Sequence, residues 1–364
     1  MITRLSTCRT CLIVTMVLSV LALYLLLRYN PVVYRYVAQS SVLLRSDKVI
    51  LLWTPFFGIR DYMPVGEGAL SHSGCPESRC EVTTDRTRLL HSEAIVFHCR
   101  DVSVVDLPLH RKPEQKWIYY CLEAPPHSYF AAFRFMRRMF NWTMSYRLDS
   151  DVVTSYGSYA VNGNRSDVPD GLLDVWRGKK KHVVWLVSNC PTSGNREGFV
   201  DRLKSYIDVD VYGSCGKGRC PNDKLDECLD DYVRNYMFFL ALENSLCKDY
   251  VTEKFFRILK YNIIPIVFGD ANYSRVAPPD SYIDALSYRD AEHLAQHLRN
   301  VASDYNLYKS YFKWKDRFHI SPSLPLICEL CRKLHTSDVA PYKVYDDIAA
   351  WWVEDSACRR WRGQ

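Results

Sequence analysis

A short stretch of the sequence, ALENSLCKDYVTEKFFRILK at residues 241–260, joins an apolar strand to an amphipathic helix. Phe238 to Leu242 is predicted to be a buried strand, and apolar side chains recur at helical spacing from Thr252 to Tyr261. Asp249 or Thr252 is suited to cap that helix. The first turn of a helix carries unpaired N–H groups and the positive end of the dipole, which favour a phosphate. The stretch therefore predicts an α/β layer with an anion-binding junction.

Strand and helix patterns alternate elsewhere in the chain, in two sets separated by a polar loop and a basic run. The first set has strands at 47–53, 93–99 and 116–122 and a helix at 128–140; the second has strands at 183–188, 208–212, 238–242 and 263–268 and helices at 195–206 and 252–261. Such alternation predicts parallel sheets covered by helices. We expect an α/β protein with two Rossmann-like lobes and ligands at the carboxyl ends of the strands.

The amino terminus contains a mainly apolar run of 17 residues at 11–27, with arginines on both sides. A helix of that length covers about 25 Å, at the lower end of what crosses a bilayer. The alternative is a cleaved signal peptide, but Tyr36 is bulky where a cleavage site before or at Ala38 needs a small residue. We expect a cytoplasmic tail at 1–10, a transmembrane signal anchor at 11–27 and a short stem at 28–47.

Cysteines and sequons indicate where the body of the protein lies. Of the 14 cysteines, all except Cys8 and Cys11 follow the apolar run, and this even number predicts several disulfides in an oxidising lumen. N-glycosylation sequons begin at Asn141, Asn164 and Asn272. The net charge of +6 is spread along the chain, and its densest run, at 177–182, is expected to be a solvated loop. The composition therefore indicates a type II membrane protein with no nucleic-acid partner.

Four blocks of the sequence occur in an order typical of one enzyme family. They are LEAPPH at 122–127, FNWTMSYR at 140–147 running on to Tyr156-Gly157, VSNC at 187–190 with GNRE at 194–197 and IDVDVYG at 207–213, and the stretch at 241–260. Together they resemble the α1,3-fucosyltransferases of glycosyltransferase family 10, animal Golgi enzymes that use GDP-fucose, with Ala124 in place of the family's usual serine. The likeness covers about Lys48 to Leu334 and leans towards invertebrate glycoprotein α1,3-fucosyltransferases.

This resemblance implies a GT-B fold. An acceptor-side lobe is expected at 48–180, a GDP-fucose-binding lobe at 181–340 and a carboxyl-terminal tail at 341–364. It also implies an inverting transfer of L-fucose from GDP-β-L-fucose to O3 of N-acetylglucosamine on glycoprotein N-glycans, core or antennary, in the Golgi lumen. The sequence of the loop at 62–88 does not indicate which acceptor is bound.

The resemblance also assigns roles to individual residues. Glu123 follows a predicted strand and precedes a proline turn, so its carboxylate is expected in the cleft as the general base for the acceptor hydroxyl. Donor contacts are implied for Arg196, Asn244, Tyr250, Glu253 and Lys254. An arginine fork and a lysine point charge are suited to a diphosphate. Glu253 is expected to accept hydrogen bonds from sugar hydroxyls.

Several motifs suggest other chemistry. Asp149–Asp151 and Asp208–Asp210 have the D-x-D spacing that binds Mn²⁺ in another glycosyltransferase architecture, so a metal-dependent enzyme using a different sugar nucleotide is one alternative. A non-catalytic lumenal glycan-binding protein is the other. The glycine-rich loop at 213–218 and the pair Cys328 and Cys331 are expected to carry disulfides rather than phosphate or zinc. No metal is expected to be required, and stimulation by Mn²⁺ stays open.

Overall fold

The computed structural model describes residues 16–21, 24, 47–163, 170–218, 220–321, 325–336 and 343–363. Residues Lys48–Gln364 form one compact unit. The other unit is Met1–Asp47, in which residues 16–21 and 24 are helical. The cytoplasmic tail predicted at 1–10 and most of the predicted anchor and stem lie outside the described residues. Within the described positions, no helix has both the length and the apolar character needed to cross a bilayer.

The first lobe is built on a parallel sheet of buried strands. Its strands are β1 (Lys48–Leu52), β2 (Cys80–Thr83), β3 (Ala94–His98), β4 (Lys116–Cys121), β5 (Trp142–Ser145) and β6 (Val152–Val153). They lie in the order β2-β1-β3-β4-β5-β6, with β1, β3 and β4 next to one another. These central strands are the three apolar runs that the sequence predicts, and both faces of the sheet are covered.

The second lobe has its own parallel sheet. Strand β7 (Ser158–Val161) precedes this sheet in the chain and is not part of it. The strands of the sheet are β8 (Lys181–Leu186), β9 (Val209–Tyr212), β10 (Tyr236–Leu242), β11 (Ile264–Phe268) and β12 (Ile283–Asp284). The order is β12-β11-β10-β8-β9, so the wholly buried β10 lies in the interior of the sheet. This arrangement confirms the predicted α/β fold with parallel sheets.

The helices pack on both sheets and between them. They are α1 (Ala69–His72), α2 (Pro125–Ser128), α3 (Leu172–Gly178), α4 (Arg196–Lys204), α5 (Leu225–Asn235), α6 (Glu253–Ile258), α7 (Ala291–Ser303), α8 (Tyr305–Ser310) and α9 (Ile327–Thr336), with a π-helical turn at Ala350–Glu354. Helices α4 and α6 fall at predicted positions, and Thr252 caps α6 as expected.

The helix predicted at 128–140 is not formed. Helix α2 ends at Ser128, and only a 3-10 helix at Ala131–Phe135 follows it. Arg138 has a left-handed backbone, with φ of 54°, and its N–H donates to the carbonyl of Tyr345 at 3.1 Å. Phe133 and Phe140 are still buried, so the apolar spacing serves the core while a tertiary contact replaces the helix.

The lobe boundaries differ from the predicted 48–180 and 181–340. Helix α9 belongs to the first lobe, because Cys328 and Cys331 bond to Cys75 and Cys80 and α9 packs in that lobe's core. Helix α3 belongs to the second lobe, since Leu172 is part of its core. Between the second lobe and α9, strand β13 (Phe318–Ser321) pairs antiparallel with β7. Apolar periodicity alone does not say which sheet a helix covers.

The segment at 343–363 then contacts both lobes. Trp352 is fully buried among side chains of the first lobe and donates its indole N–H to Ser128 Oγ at 2.8 Å. Further along, Cys358 forms a disulfide with Cys247, and Arg359 pairs with Asp270 at 2.9 Å. The tail predicted at 341–364 therefore fastens the second lobe to the first.

Candidate active site

Glu123 lies directly after β4, at the carboxyl end of a central strand of the first sheet. The prolines of α2 begin two residues later, and Ser128 Oγ donates to the carbonyl of Ala124 at 3.0 Å, which closes the turn. The Glu123 side chain is half-buried. Burial raises the pKa values of Tyr156 and Tyr250, and the negative charge of Glu123 contributes to both.

A cavity of about 260 Å³ opens at the carboxyl edge of the second sheet. Its lining includes Trp185, Ser188, Asn189, Arg196, Leu242, Glu253, Lys254 and Arg257. The sequence-predicted donor residues Arg196, Glu253 and Lys254 therefore meet in one space. Three cationic side chains against one carboxylate make this lining suited to an anionic ligand of the size of a phosphate group or a diphosphate.

Arg196 begins α4 and is almost fully buried. Its Nη1 donates to the Leu242 carbonyl at 2.6 Å and its Nη2 to the Asn189 carbonyl at 3.0 Å. The guanidinium also faces the ring of Trp185, 5.6 Å from the centroid. Burial lowers its pKa, although the charges of Glu243 and Glu197 oppose this. The carbonyls of Leu242 and Asn189 thus fix the guanidinium, and its buried Nε lies 3.8 Å from Glu197 Oε1 without a hydrogen bond.

Lys254 is held by a buried carboxylate that the sequence reasoning did not assign a role. Glu243 follows β10, is fully buried, and accepts from the Thr252 N–H at 2.7 Å and from Lys254 Nζ at 3.3 Å. Burial raises the pKa of Glu243. Burial would lower the pKa of Lys254, but the carboxylates of Glu243 and Glu253 outweigh it and raise that pKa. The Lys254 ammonium is therefore charged at neutral pH.

The two remaining predicted donor residues lie beside the cavity rather than in its lining. Asn244 ties two loops together, because its carbonyl accepts from the Gly194 N–H at 2.9 Å. No donor among the described residues reaches its buried Oδ1. Tyr250 is buried at the contact between the lobes, where its ring lies 4.9 Å from that of Tyr146. A direct contact of either residue with a ligand stays a prediction.

His127 lies in α2 of the first lobe, four residues after Glu123. Burial lowers the pKa of His127, and the charges of Glu123 from the first lobe and of Arg196 and Lys254 from the second also act on it. Its Nε2 is buried without a partner in the described part of the chain. The predicted base and the predicted phosphate ligands are linked through Tyr156, whose hydroxyl donates to the Leu122 carbonyl beside Glu123 at 2.7 Å, and through Gly157, which packs against Phe256 of α6.

In each D-x-D motif, at least one carboxylate forms an ion pair with an arginine or lysine of the chain. Asp149 accepts from Arg147 at 2.7 Å and from Lys248 at 2.9 Å. Burial would raise the pKa of Asp149, but these hydrogen bonds lower it to about 2. Asp210 accepts from Lys181 at 3.0 Å and from Tyr236 at 2.7 Å. These carboxylates have structural partners, and the pair Arg147–Asp149 with Lys248 joins the lobes.

The predicted disulfides are present among the described cysteines. In addition to the pairs of α9 and of Cys358, bonds join Cys99–Cys121, Cys190–Cys215 and Cys220–Cys228. The glycine-rich loop at 213–218 is therefore a disulfide-bearing loop, as predicted, with partners outside it. His335 lies near Cys80 and Cys331, but those sulfurs are bonded to each other.

The sequons have different environments. Asn141 is buried, its Oδ1 accepts from the Trp117 N–H at 2.9 Å, and its Nδ2 donates to the Lys343 carbonyl at 2.8 Å. The structure therefore contradicts a glycan at Asn141, because the amide nitrogen that would carry it points into packed protein. Asn272 is exposed, and Asn164 lies outside the described residues, so both stay predictions.

Two α/β lobes with an acidic residue at one sheet edge and a cationic cavity at the other are compatible with a two-lobed glycosyltransferase, and the fold alone does not specify the reaction. Comparison with known families gives the same class. Residues 176–351 match "Glycosyltransferase family 10 (fucosyltransferase) C-term" and residues 45–157 match "Fucosyltransferase, N-terminal". The chain belongs to glycosyltransferase family 10, the fucosyltransferases.

Named relatives agree with this membership. The chain is 36% identical over 348 residues to Alpha-(1,3)-fucosyltransferase C of Drosophila melanogaster, covering 88% of this chain and 81% of that protein. It is 32% identical over 344 residues to Glycoprotein 3-alpha-L-fucosyltransferase A of the same organism, covering 92% of this chain and 66% of that protein. A solved structure described as "alpha1,3-Fucosyltransferase with GDP-fucose" has the same fold, with a TM-score of 0.51, 14% identity and coverage of 81% and 92%.

Proposed function

We propose that the protein is an inverting α1,3-fucosyltransferase that moves L-fucose from GDP-β-L-fucose to O3 of N-acetylglucosamine on glycoprotein N-glycans. The observation that carries this is the contact between the two sites: the Tyr156 hydroxyl donates to the Leu122 carbonyl beside Glu123 at 2.7 Å, and the adjacent Gly157 packs against Phe256 of α6, the helix that carries Lys254. Family membership and the names of the relatives support the donor and the linkage.

Each group has one part in the reaction. The Glu123 carboxylate takes the proton from the acceptor O3 as that oxygen attacks the anomeric carbon of fucose. The bond from the anomeric carbon to the β-phosphate oxygen breaks, and GDP leaves with its electron pair. Arg196 and Lys254 neutralise the charge that develops on the diphosphate. One displacement inverts the anomeric centre, so β-linked donor gives α-linked product.

Donor binding follows the same division between the lobes. Arg196 lines the cavity with a guanidinium that two carbonyls fix, and Lys254 lines it with an ammonium held by three oxygens. Glu253 is half-exposed beside it and is placed to accept from hydroxyls of the sugar nucleotide. Asn244, with its buried amide oxygen, and Tyr250 complete the proposed donor set.

No metal is required in this proposal, because fixed cations of the chain neutralise the leaving group. Activity should persist in excess chelator, and added Mn²⁺ should change it only modestly. Loss of activity in chelator with recovery in Mn²⁺ would instead support the metal-dependent alternative.

The protein is also proposed to be a single-pass type II Golgi membrane protein, with a tail at 1–10, an anchor at 11–27, a stem at 28–47 and the catalytic body in the lumen. Support comes from the apolar run and from the disulfides of the body, which form in an oxidising compartment. Protease protection of the body in sealed Golgi vesicles tests this orientation, and digestion without detergent would contradict it.

The experiment for the function is incubation with GDP-fucose and a panel of defined acceptors. Core-type and antenna-type N-glycans ending in N-acetylglucosamine are compared, and the product linkage is read by NMR. Fucose attached to O3 of an N-acetylglucosamine is expected. Attachment at another position, or consumption of another sugar nucleotide only, would refute the proposal.

A further inference from the structure

A second cavity, of about 200 Å³, lies at the amino-terminal edge of the second sheet, where β8 and β10 begin. Basic side chains form much of its wall, and they are Lys179, Lys180, Lys181, His182 and Arg299. No carboxylate of the described residues lines it. Four of these side chains come from the basic run at 177–182, which is therefore only in part the solvated loop that the sequence predicts.

Lys179 is the buried member of this wall. It is almost fully buried, and its Nζ donates to the carbonyls of Val233 and Tyr236, the latter at 2.9 Å. No carboxylate of the described chain pairs with it, and burial lowers the pKa of Lys179 to about 7. Because both acceptors are neutral, the ammonium is a buried cation without a counter-charge. A bound anion would stabilise its charged form.

Two further cations of the wall have no carboxylate partner within the described positions. Arg299 Nη1 donates to the Tyr206 carbonyl at 2.7 Å, so a neutral oxygen fixes the guanidinium. Lys180 is exposed at the solvent side. Lys181 differs from both, because Asp210 accepts from its Nζ at 3.0 Å. The cavity therefore has up to three positive charges that no described carboxylate balances.

The end of helix α7 accounts for only part of this charge. Helix α7 ends at Ser303, which also lines the cavity, and its last carbonyls carry the negative end of the helix dipole. That end is equivalent to about half an elementary charge, well below the charge of Lys179, Lys180 and Arg299 together. The cavity is therefore expected to have a positive potential that an anion would neutralise.

This cavity is separate from the one proposed to hold the diphosphate. Strand β8 begins at Lys181 in the wall of one cavity and reaches Leu186 in the lining of the other. Five residues of strand cover about 16 Å, so one phosphate group does not reach both cavities. An anion at Lys179 would thus be a second ligand and would not depend on the proposed transfer reaction.

We propose that this cavity binds a single phosphate or sulfate group, either as the free ion or as an ester on a small sugar. Arg299 and Lys180 donate to its oxygens, and Lys179 supplies charge from the buried side of the wall. A tetrahedral oxyanion suits these groups because it accepts several charge-assisted hydrogen bonds at once. A neutral ligand would leave the buried ammonium without a counter-charge.

The test follows the methyl signal of Met237, which lines the cavity, by NMR of protein with isotope-labelled methionine methyl groups. At constant ionic strength, added sodium sulfate should shift this signal saturably, while the signal of Met144 in the first lobe stays in place. Lys179→Gln should raise the apparent Kd about tenfold or more, and Lys180→Gln about two- to fivefold because that side chain is exposed. Lys112→Gln, an exposed lysine of the first lobe, should match the wild type.

The pH dependence gives a second readout. Charged and titratable groups near Lys179 are Lys180, Lys181 and His182 on its own segment, Arg299 of α7, Asp210 of β9 and Asp231 of α5. Sulfate should bind more tightly as the pH falls from about 8 to about 6, because the anion favours the charged form of Lys179 and sulfate keeps its own charge. Lys179→Gln should reduce this rise in affinity.

The absence of a saturable Met237 shift with both sulfate and phosphate would overturn the proposal. Equal affinities in the wild type, Lys179→Gln and Lys180→Gln would also overturn it. Because Lys180 is exposed, Lys180→Gln keeps the test valid if Lys179→Gln does not fold. Binding of the polyanion heparin that Lys112→Gln weakens as much as Lys180→Gln would show a diffuse surface effect and would contradict a defined site.

A comparison of sulfated with unsulfated N-acetylglucosamine separates the two sources of the anion. Tighter binding of the sulfated sugar than of free sulfate, with no shift from the unsulfated sugar, would support the site and assign it to an ester. Binding of the free ions alone would support the site and assign it to the ion. An equal Met237 shift with the unsulfated sugar would show that the anion is not what is recognised, and would overturn the proposal.

Discussion

Gly157 lies where the lobes touch, and replacing it with alanine should disrupt that contact. A Cβ built on Gly157 would lie 2.3 Å from Cγ of Phe256 and 2.7 Å from its Cβ, and the latter atom is fixed to helix α6. Ordinary carbon contacts are about 3.5–4.0 Å, so one side must move by roughly 1 Å. Overpacking of this kind costs about 1–3 kcal/mol, which should lower Tm by a few degrees.

Activity should fall more than stability does. Tyr156 adjoins Gly157 and bonds the strand end before Glu123, while α6 carries Lys254. Forcing the two apart moves the base away from the leaving group, and a displacement of about 1 Å can cost roughly a hundredfold in kcat. The assay measures kcat at a temperature well below the Tm of the variant, with Tm followed by calorimetry.

Two further variants make this prediction refutable. Gly163→Ala is the matched control, because no atom of the described residues lies within 4 Å of a Cβ at that position. Phe256→Leu removes part of the ring, so the double variant with Gly157→Ala should recover Tm and kcat, with a coupling energy of about 1 kcal/mol or more. Wild-type kcat in Gly157→Ala, or strictly additive effects in the double variant, would show that the lobes do not meet as described.

Three other outcomes follow from the structure. Asp149→Asn should cost about 1 kcal/mol at pH 6, since the pairs of this 41%-exposed carboxylate with Arg147 and Lys248 are partly screened; because the pKa of Asp149 is lowered to about 2, the difference should vanish as pH falls from 4 to 2 in acid unfolding curves. Cys328→Ser should cost about 2–5 kcal/mol of stability, measured without reductant as a Tm below that of the wild type. Glycopeptide mass spectrometry should find a glycan at Asn272 and none at Asn141; occupancy at Asn141 would contradict its buried amide.

The sequence is informative where the structure is decided locally. The strands at the centre of each sheet are continuous apolar runs, and β10 with its capped helix α6 appears where the spacing predicts it. Strand β2 (Cys80–Thr83) was not predicted, because it is short, polar in part, and defined only by its parallel pairing with β1 and its disulfide to α9. Contacts that link distant parts of the chain leave no periodic signal.

The site shows the same division. The resemblance to the α1,3-fucosyltransferases assigned roles to Glu123, Arg196 and Lys254, whereas the strand pattern predicted only that ligands bind at the carboxyl ends of the strands. Glu243 follows a strand in the same way, but a fully buried carboxylate is rare enough that the sequence gave no reason to expect it. Tyr250 lies between the lobes because of the way the lobes pack, and no local pattern in the sequence reveals that packing.

The central claim is that Glu123 and Lys254, from different lobes, act in one fucosyl transfer. Its most direct test measures the release of GDP together with the O3-linked product from GDP-fucose and a GlcNAc-terminated N-glycan. Glu123→Gln should lower kcat by about 10²–10⁴, and Lys254→Ala should raise the KM for GDP-fucose about tenfold or more. The exposed carboxylate variant Glu114→Gln should behave as the wild type. Near-normal turnover in both Glu123→Gln and Lys254→Ala would contradict the account.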